Sequence, residues 1–289
     1  MSHVDVSIVI PAFNCEESIA ATIDSALLQA GLCIEVVVVN DCSVDGTLDV
    51  LLSYGDRIVL VDLKENVGGA EARNIGVEHS FGEYISFLDS DDVFFQNKVV
   101  RQISEMHKNN ADFSYCQAVD EIGNIIGAKY TDVFWVDLLI GECDIVSSSG
   151  IVVSRTLFDR ISGFDVDFKR QQDIEFSIRC SFCDGIGICF LEEALYRKIN
   201  SGSPSFQKVY QGVDALFDKF KPELTSLPKN KLNKIKAKYF IRFSELLFVE
   251  KKIIFVVYLF RSLFLNPWAF YNRIYRYYRK VLISSGLKK

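Results

Sequence analysis

The sequence from Tyr84 to Asp92 is Tyr-Ile-Ser-Phe-Leu-Asp-Ser-Asp-Asp, an apolar run that ends abruptly in three carboxylates. A short apolar run rich in β-branched and aromatic residues is typical of a buried β-strand. Two earlier runs, Val6–Ile10 and Ile34–Val39, have the same character and also end in polar residues. The three runs predict three buried strands that carry polar side chains at their carboxyl ends.

Segments with helical spacing separate these strands. An apolar face from Ile19 to Leu27 predicts a helix after the first strand, and Asn14 is the predicted capping residue at its start. Further helices are predicted over residues 69–79 and 96–108. Strands that alternate with helices and are apolar throughout predict an α/β fold, with a mostly parallel sheet flanked by helices.

The second half of the sequence is less regular. Helical spacing over Asp173–Cys183 predicts another helix, and Gly187–Leu191 predicts a last strand. A loop rich in Ser and Gly then ends near residue 205. We therefore predict one domain over residues 1–205 and a C-terminal helical extension over residues 206–289.

The charge is distributed unevenly along the chain. The net charge is −6, yet residues 251–289 contain nine Lys or Arg and no Asp or Glu, which leaves −15 on residues 1–250. An acidic body argues against a nucleic-acid partner. In the tail, aromatic residues interleaved with cations predict interfacial helices on an anionic membrane surface. The alternative is a helical lid packed on the first domain or on a second subunit of a homo-oligomer.

The cysteines and apolar runs bear on location. Cys180-x-x-Cys183 suggests a zinc or redox site, but no second such pair exists and the three histidines are distant. Small buried thiols in a reducing cytosol are the simpler interpretation. No signal peptide is evident, and the apolar run Ile253–Phe260 is too short to cross a bilayer. We expect a cytoplasmic protein, held peripherally on the inner face of the membrane.

One polar cluster follows each of these three predicted strands, and all three clusters should lie at one edge of the sheet. They are Pro11–Asn14, Asn40–Thr47 and Asp89–Asp92. Each alone is explained equally well as a helix cap or a turn. Three carboxylates in four residues, however, repel each other unless a cation lies among them. Oxygen ligands of this kind suit Mg²⁺ or Mn²⁺ bound together with substrate phosphates.

Several segments together resemble the family 2 inverting glycosyltransferases of the GT-A fold. They are Ser7–Asn14, Val39–Thr47, Asn66–Gly76, Tyr84–Asp92, Ile161–Asp165 and Gln171–Arg179. The resemblance implies transfer of a sugar from a nucleotide diphosphate donor, with a UDP-sugar favoured, to a hydroxyl acceptor. It also implies a glycan or glycolipid acceptor and a place in cell-surface polysaccharide, lipopolysaccharide or glycolipid assembly.

The resemblance assigns the nucleotide site to residues near the sheet edge. It implies that Asp41 accepts a hydrogen bond from the uracil ring, in a pocket that Pro11 and Phe13 line. Asp89 is implied to lie by the ribose and the metal. Arg73 is a candidate pyrophosphate or nucleotide contact, and its alternative is a solvated residue on a helix surface.

The resemblance likewise assigns the reacting groups. Asp91 is implied to be the principal ligand of Mn²⁺ or Mg²⁺, with Asp89 beside it, and Asp173 is implied to be the general base. Three positions depart from the family pattern. Phe13 replaces a frequent Tyr, Gln172 replaces the usual Glu before the base, and the segment after Tyr196 lacks the frequent His.

Other functions share parts of this pattern. A Rossmann oxidoreductase would need a G-x-G-x-x-G loop after the first strand, where Pro11–Asn14 stands instead. A nucleotidyltransferase can share the fold class and a metal-binding carboxylate pair. A non-catalytic sugar-nucleotide binding module would keep Asp41 but could lose Asp91 or Asp173, and both are present.

Overall fold

The computed structural model describes residues 3–127, 134–140, 145–199, 205–268, 270 and 271. The chain divides into two compact units. The first comprises Met1–Leu138 and Glu142–Ser203, and the second comprises Leu139–Gly141 and Pro204–Lys289. The first unit contains the sheet, and the second is helical in its described part.

The first unit is built on one mixed sheet. Its strands are β1 (Val6–Ala12), β2 (Ile34–Asn40), β3 (Val59–Asp62), β4 (Tyr84–Phe87), β5 (Val93–Phe94), β6 (Phe113–Val119), β7 (Ile125–Ile126), β8 (Ile151–Ser154) and β9 (Ile188–Arg197). The strand order is β3-β2-β1-β4-β8-β6-β9-β5, and β7 pairs with β6. Strands β1 to β4 are parallel, whereas β8 runs antiparallel to both neighbours and β5 runs antiparallel to β9.

Helices cover the sheet. They are α1 (Ile19–Leu27), α2 (Thr47–Leu52), α3 (Gly69–Glu78), α4 (Lys98–Asn109), α5 (Phe134–Ile140), α6 (Arg155–Arg160) and α7 (Gln172–Ser181). Helix α3 packs closely on the sheet at Gly76, where a Cβ would come within 2.4 Å of the Val9 side chain. Successive side chains of β1 and β2 point to opposite faces of the sheet. Most of them are buried because both faces are covered.

The predicted α/β class and mostly parallel sheet are confirmed, but the short strands β5 and β8 were missed. Strand β8 has only four residues and joins two distant strands, β4 and β6. Its pairing is long-range, so local periodicity does not reveal it. The prediction that Asn14 caps the first helix is wrong. Helix α1 begins five residues later, at Ile19, because the Asn14 side chain accepts a hydrogen bond from the Val44 amide instead.

The second unit contains helices α8 (Phe206–Lys219), α9 (Lys221–Ser226), α10 (Lys229–Val249) and α11 (Phe255–Leu265). Aromatic rings pack where α8, α10 and α11 meet, with Phe206, Phe243 and Tyr258 in mutual contact. Within the described residues, no helix is both long and apolar enough to span a membrane. The predicted tail beyond Tyr271 lies outside the described residues.

The described cysteines are free thiols. Cys116, Cys180 and Cys189 are buried, as the simpler interpretation expects, whereas Cys33 is exposed. Burial raises the pKa of the Cys180 thiol well above its usual value, so the group stays protonated. Cys183 lies one turn further along and its thiol contacts the Arg179 carbonyl at 3.7 Å.

Candidate active site

Five chain segments meet at one edge of the sheet. The parallel register places the carboxyl ends of β1, β2 and β4 together, as predicted from their polar clusters. Because β8 runs the opposite way, the segment just before it reaches the same edge. Strand β9 is parallel to β6, so its carboxyl end also arrives there. Sequence reasoning identified the first three segments but not the last two.

The loops after β1 and β2 are braced against each other. The Gly46 amide donates to the Glu16 carboxylate at 2.5 Å, and the Asn14 amide donates to the Ser43 hydroxyl at 3.1 Å. On the first of these loops Phe13 is 49% exposed, and Pro11 is half-buried. An exposed ring held on a braced loop is a suitable platform for a flat ligand such as a nucleobase.

The Asp41 amide donates to the Ala12 carbonyl at 2.8 Å, next to this loop, and Asp41 is only 3% exposed. Its carboxylate oxygens accept hydrogen bonds from the Val67 amide at 2.7 Å and the Gly68 amide at 2.9 Å. Gly68 has φ +89°, a conformation that favours glycine, and directly precedes α3. Asp41 therefore orders the entrance to α3. Each carboxylate oxygen retains a second lone pair, which leaves acceptor capacity for a ligand.

Arg73 connects α3 to two other parts of the site. Its guanidinium lies 2.6 Å from an Asp89 oxygen and donates to the Gln172 side-chain oxygen at 3.1 Å. Arg73 is 7% exposed, so the solvated-surface alternative for this residue is wrong. Burial alone would raise the pKa of Asp89, but the charges of Arg73 and Lys198 outweigh it and hold that pKa below its usual value.

Gln172 suits this position for a physical reason. Its amide group donates to the Phe168 carbonyl at 2.7 Å while its oxygen accepts from Arg73. A Glu at this position could not donate to that carbonyl, and it would attract Arg73 away from Asp89. Gln172, which differs from the family pattern, thus satisfies both of its hydrogen-bonding partners.

The cation among the three carboxylates is a lysine. The Lys198 ammonium lies 3.7 Å from Asp89, 3.8 Å from Asp91 and 3.2 Å from Asp92. Sequence reasoning missed it because residue 198 stands where the family pattern differs, and its position depends on the pairing of β9 with β6. The signal available in the sequence was the like charge of the aspartates, which requires a countercharge.

Among the three aspartates after β4, Asp92 has a structural role. It is fully buried, and its carboxylate accepts hydrogen bonds from Ser149 at 2.6 Å, Ser147 at 3.1 Å and the Ile199 amide at 3.1 Å. Burial, followed by the nearby charge of Asp89, raises the pKa of Asp92 to about 6. Asp92 thus joins the end of β4 to the start of β8 and the end of β9.

A divalent cation fits this site only with further ligands. Asp89 and Asp91 offer hard oxygen donors two residues apart, and Asp91 is partly exposed. Asp89 is already engaged by Arg73 and Lys198, and the described residues contain no cluster of three His, Cys, Asp or Glu that could hold a metal. The donor set fits Mg²⁺ or Mn²⁺ that is also bound by substrate phosphates, which is the usual mode for Mg²⁺.

Asp173 lies in the first turn of α7, next to Gln172. Burial raises the pKa of its carboxyl to about 6, and the charge of Asp89 adds to that rise, against the lowering effect of the Ile174 amide. Glu175, two residues on, is fully buried and bonded to Arg179, which also donates to the carbonyls of Ile161 and Gly163. Asp173 is therefore the carboxylate of α7 suited to proton transfer, and Glu175 fixes the preceding loop.

An aromatic cluster holds α7 against the sheet behind the site. Phe176 of α7 stacks on Phe164 at 4.3 Å between ring centroids, and Phe164 meets Phe87 of β4 edge to face at 5.0 Å. The Phe164 backbone forms two hydrogen bonds with the Asn74 side chain of α3. The strand that carries the aspartates, the helix that carries Arg73 and the helix that carries Asp173 thus share one rigid support.

Comparison with known proteins shows which family the chain belongs to. The sequence profile described as "Glycosyl transferase family 2" matches residues 7–160, more than half of the chain. The chain belongs to this family. The matched segment includes Asp41, Arg73 and the aspartates after β4, whereas Asp173 and Lys198 lie beyond it.

The relatives of this family 2 chain include named glycosyltransferases. One is the Escherichia coli UDP-Glc:alpha-D-GlcNAc-diphosphoundecaprenol beta-1,3-glucosyltransferase WfgD, 35% identical over 171 residues, which are 58% of this chain and 66% of that protein. The first two curated relatives are matched over only 56% and 45% of their own lengths.

Solved structures confirm the predicted GT-A-type fold. Staphylococcus aureus TarS residues 1–349 in complex with UDP-GlcNAc has a TM-score of 0.60 at 16% identity, over 96% of this chain and 92% of that one. The Pyrobaculum calidifontis mannosyltransferase PcManGT in complex with GDP-Man and Mn²⁺ has a TM-score of 0.60 at 17% identity, over 93% and 88%. At these identities the likeness concerns the fold alone.

Proposed function

We propose that this chain is an inverting glycosyltransferase that moves a sugar from a nucleotide diphosphate donor, with a UDP-sugar favoured, to a hydroxyl of a glycan or glycolipid acceptor. One observation carries the proposal. Arg73 links Asp89, at the end of the aspartate strand, to Gln172, the neighbour of Asp173. A carboxyl suited to proton transfer is thereby held in fixed relation to the place where a diphosphate would bind.

The donor occupies the edge formed by β1, β2 and β4. Phe13 and Pro11 line the base pocket, and Asp41 accepts a hydrogen bond from the uracil ring. Asp89 lies by the ribose, and Arg73, held by Asp89, directs positive charge towards the nucleotide. The full name of WfgD includes UDP-Glc, and the TarS structure is a complex with UDP-GlcNAc, which supports a UDP-sugar here as well.

The Asp173 carboxylate takes the proton of the acceptor hydroxyl while that oxygen forms a bond to the anomeric carbon. The bond between the anomeric carbon and the diphosphate oxygen breaks on the opposite face, and the electron pair leaves with UDP. A single displacement inverts the anomeric configuration, as in glycosidases that place a base opposite the leaving group. A pKa near 6 makes Asp173 largely ionised at neutral pH and still basic enough to act.

Asp91, with Asp89 beside it, would hold Mn²⁺ or Mg²⁺. When bound, the ion neutralises the charge that develops on the departing diphosphate. The Mn²⁺ in the PcManGT complex supports this choice of ion.

A nucleotidyltransferase is the alternative enzyme, and the released product separates the two. The experiment is a panel of nucleotide sugars incubated with purified protein and Mn²⁺ or Mg²⁺, with detection of both nucleoside diphosphate and pyrophosphate. The proposal expects slow release of UDP from one or more UDP-sugars. Release of pyrophosphate would favour a nucleotidyltransferase, and tight binding without release would favour a non-catalytic binding module.

We further propose that the C-terminal unit contacts an anionic membrane surface, where a lipid-linked acceptor would lie. Large apolar side chains stand exposed around the turn between α10 and α11 and along α11. They are Phe248, Val249, Ile253, Ile254, Val257, Phe260 and Phe264. Lys251 and Lys252 occupy the same turn and line a cavity of about 420 Å³ with Phe248 and Phe255. Apolar side chains for the acyl boundary beside cations for the headgroups suit this surface.

A further inference from the structure

Lys198 lies where a metal ion would be expected among the aspartates. Its ammonium is within 4 Å of a carboxylate oxygen of Asp89, Asp91 and Asp92, and the Lys198 side chain is 18% exposed. The backbone on either side is fixed, because the Lys198 amide donates to the Val119 carbonyl and the next amide donates to Asp92. The Lys198 ammonium thus lies at the end of a flexible four-carbon side chain on a segment whose backbone is fixed.

The charges around Lys198 decide what can bind there. Arg73 and Lys198 supply two positive charges against the three aspartates. A divalent ion that arrives alone would meet the ammonium at short range and would find Asp91 as the carboxylate with fewest protein contacts. A diphosphate brings several negative charges, which can accommodate the ammonium and the metal together.

We propose that Lys198 is a built-in countercation that makes metal binding conditional on the donor. Its ammonium balances the aspartates while the donor is absent. When the diphosphate and the metal arrive, the ammonium turns from the aspartates to the diphosphate. This inference rests on the proposed function, because it assumes a diphosphate donor and a metal at Asp91.

The test is Mn²⁺ binding to the full chain, followed by the electron paramagnetic resonance signal of free Mn²⁺, with and without UDP. For the unaltered protein we expect weak binding alone and binding at least about 10-fold tighter with UDP, since the added phosphates offset the ammonium. Linkage requires that Mn²⁺ tighten UDP binding by the same factor. Lys198→Met should bind Mn²⁺ alone at least about 10-fold more tightly than the unaltered protein, and UDP should add less.

Three further variants control the experiment. Lys198→Arg keeps the charge and should keep weak binding of Mn²⁺ alone. Lys198→Gln removes the charge but retains a polar end, and serves if the Met variant does not fold. Lys108→Met changes the net charge equally at a surface ion pair with Glu105 and should leave Mn²⁺ binding unchanged.

Two results would overturn the inference and leave the proposed function standing. One is unchanged binding of Mn²⁺ alone in the folded Met or Gln variant, which would make Lys198 a fixed structural partner. The other is equal Mn²⁺ affinity with and without UDP in the unaltered protein, whatever the variants do. Failure of the unaltered protein to bind Mn²⁺ even with UDP would instead overturn the metal assignment, and the inference with it.

Discussion

At the scale of single residues, three neighbouring aspartates differ by what they are bonded to. Asp89 is held by Arg73, Asp92 is buried among two serines and a backbone amide, and Asp91 is partly exposed with Lys198 as its nearest cation. Three aspartates within four residues can therefore have three different roles. Each role is set by the burial and charge of its surroundings.

Asp91→Ala should abolish metal-dependent UDP binding and leave the fold intact. The substitution removes the proposed metal ligand, yet it also removes one of three like charges, so the free energy of unfolding should change by less than about 0.5 kcal/mol. Calorimetric titration with UDP and Mn²⁺ measures the loss. Asp167→Ala, at an exposed carboxylate of the same unit, is the control. Unchanged UDP affinity in Asp91→Ala would refute the metal assignment.

Asp173→Asn should lower turnover by about 10²–10⁴-fold, because the amide keeps the shape but cannot accept a proton. The affinity for the donor should barely change, since the base faces the acceptor. Steady-state kinetics and donor titration measure the two quantities, with Asp167→Asn as the control. Near-normal turnover in Asp173→Asn would remove this residue from the mechanism.

The pH dependence of kcat/KM should show an acidic limb near pH 6. Burial raises the pKa of Asp173 to about 6, so the carboxyl is protonated and inactive below that pH and ionised above it. Activity should therefore rise with pH through about 6 and then level off. Asp92 also has a pKa of about 6, so Asp92→Asn is the necessary comparison. We expect the acidic limb to persist in Asp92→Asn and to vanish from the residual activity of Asp173→Asn.

At the scale of secondary-structure elements, the site depends on contacts between loops that are far apart in the sequence. Asp92 joins β4, β8 and β9, and the Gly163–Phe164 segment joins α3 to α7. These contacts explain why α7 and the aspartates stay in register. They also define two substitutions that should disturb the site without touching a substrate.

Asp92→Ala should lower the free energy of unfolding by about 3 kcal/mol, because two serine hydroxyls, one amide and the Lys198 ammonium lose a buried partner. Urea denaturation of this variant beside Asp91→Ala provides the comparison, since the two carboxylates are adjacent but only Asp92 is fully buried. Equal stability of the two variants would show that burial does not distinguish them.

Gly163→Ala should destabilise the protein by about 1–3 kcal/mol. Gly163 has φ +66°, and an added Cβ would approach the Asn74 side-chain oxygen to 2.5 Å. The hydrogen bonds between the Asn74 side chain of α3 and the Phe164 backbone would therefore be disrupted. Thermal unfolding measures the loss, and Gly123→Ala, at a glycine with φ +88° but open space around it, separates the steric effect from the backbone effect. Equal losses in both variants would mean that the steric contact contributes nothing.

Elements with a short-range hydrophobic pattern can be predicted from the sequence. Elements that are placed by pairing between distant segments cannot. The strands at β1, β2 and β4 and the helix at α3 follow from short-range patterns, and so does the edge that collects their polar ends. Strand β8 and the position of Lys198 depend on pairing with β4 and β6, which periodicity does not encode. The capping prediction at Asn14 failed because the loop after β2 offered that side chain a partner.

At the scale of the whole molecule, an acidic body and a basic tail suggest a division between chemistry and anchoring. The surface at the turn between α10 and α11 is the described part of that proposed anchor. In the full chain, Ile253→Ser and Phe264→Ser should each reduce sedimentation with anionic liposomes, because these side chains are 86% and 84% exposed. Ile122→Ser, at an equally exposed residue of the first unit, should have no effect. Equal losses in all three variants, or no binding by the unaltered protein at low salt, would contradict the membrane proposal.

The proposed reaction is a single displacement with Asp173 as base and UDP as the leaving group. Proton NMR during donor turnover tests it most directly, with Mn²⁺, the UDP-sugar selected by the donor screen and water as the slow acceptor. We expect that UDP is released and that the first sugar to appear has the anomeric configuration opposite to that of the donor. This signal should appear about 10²–10⁴-fold more slowly in Asp173→Asn. A first product with the donor's configuration, or an undiminished rate in Asp173→Asn, would contradict the account.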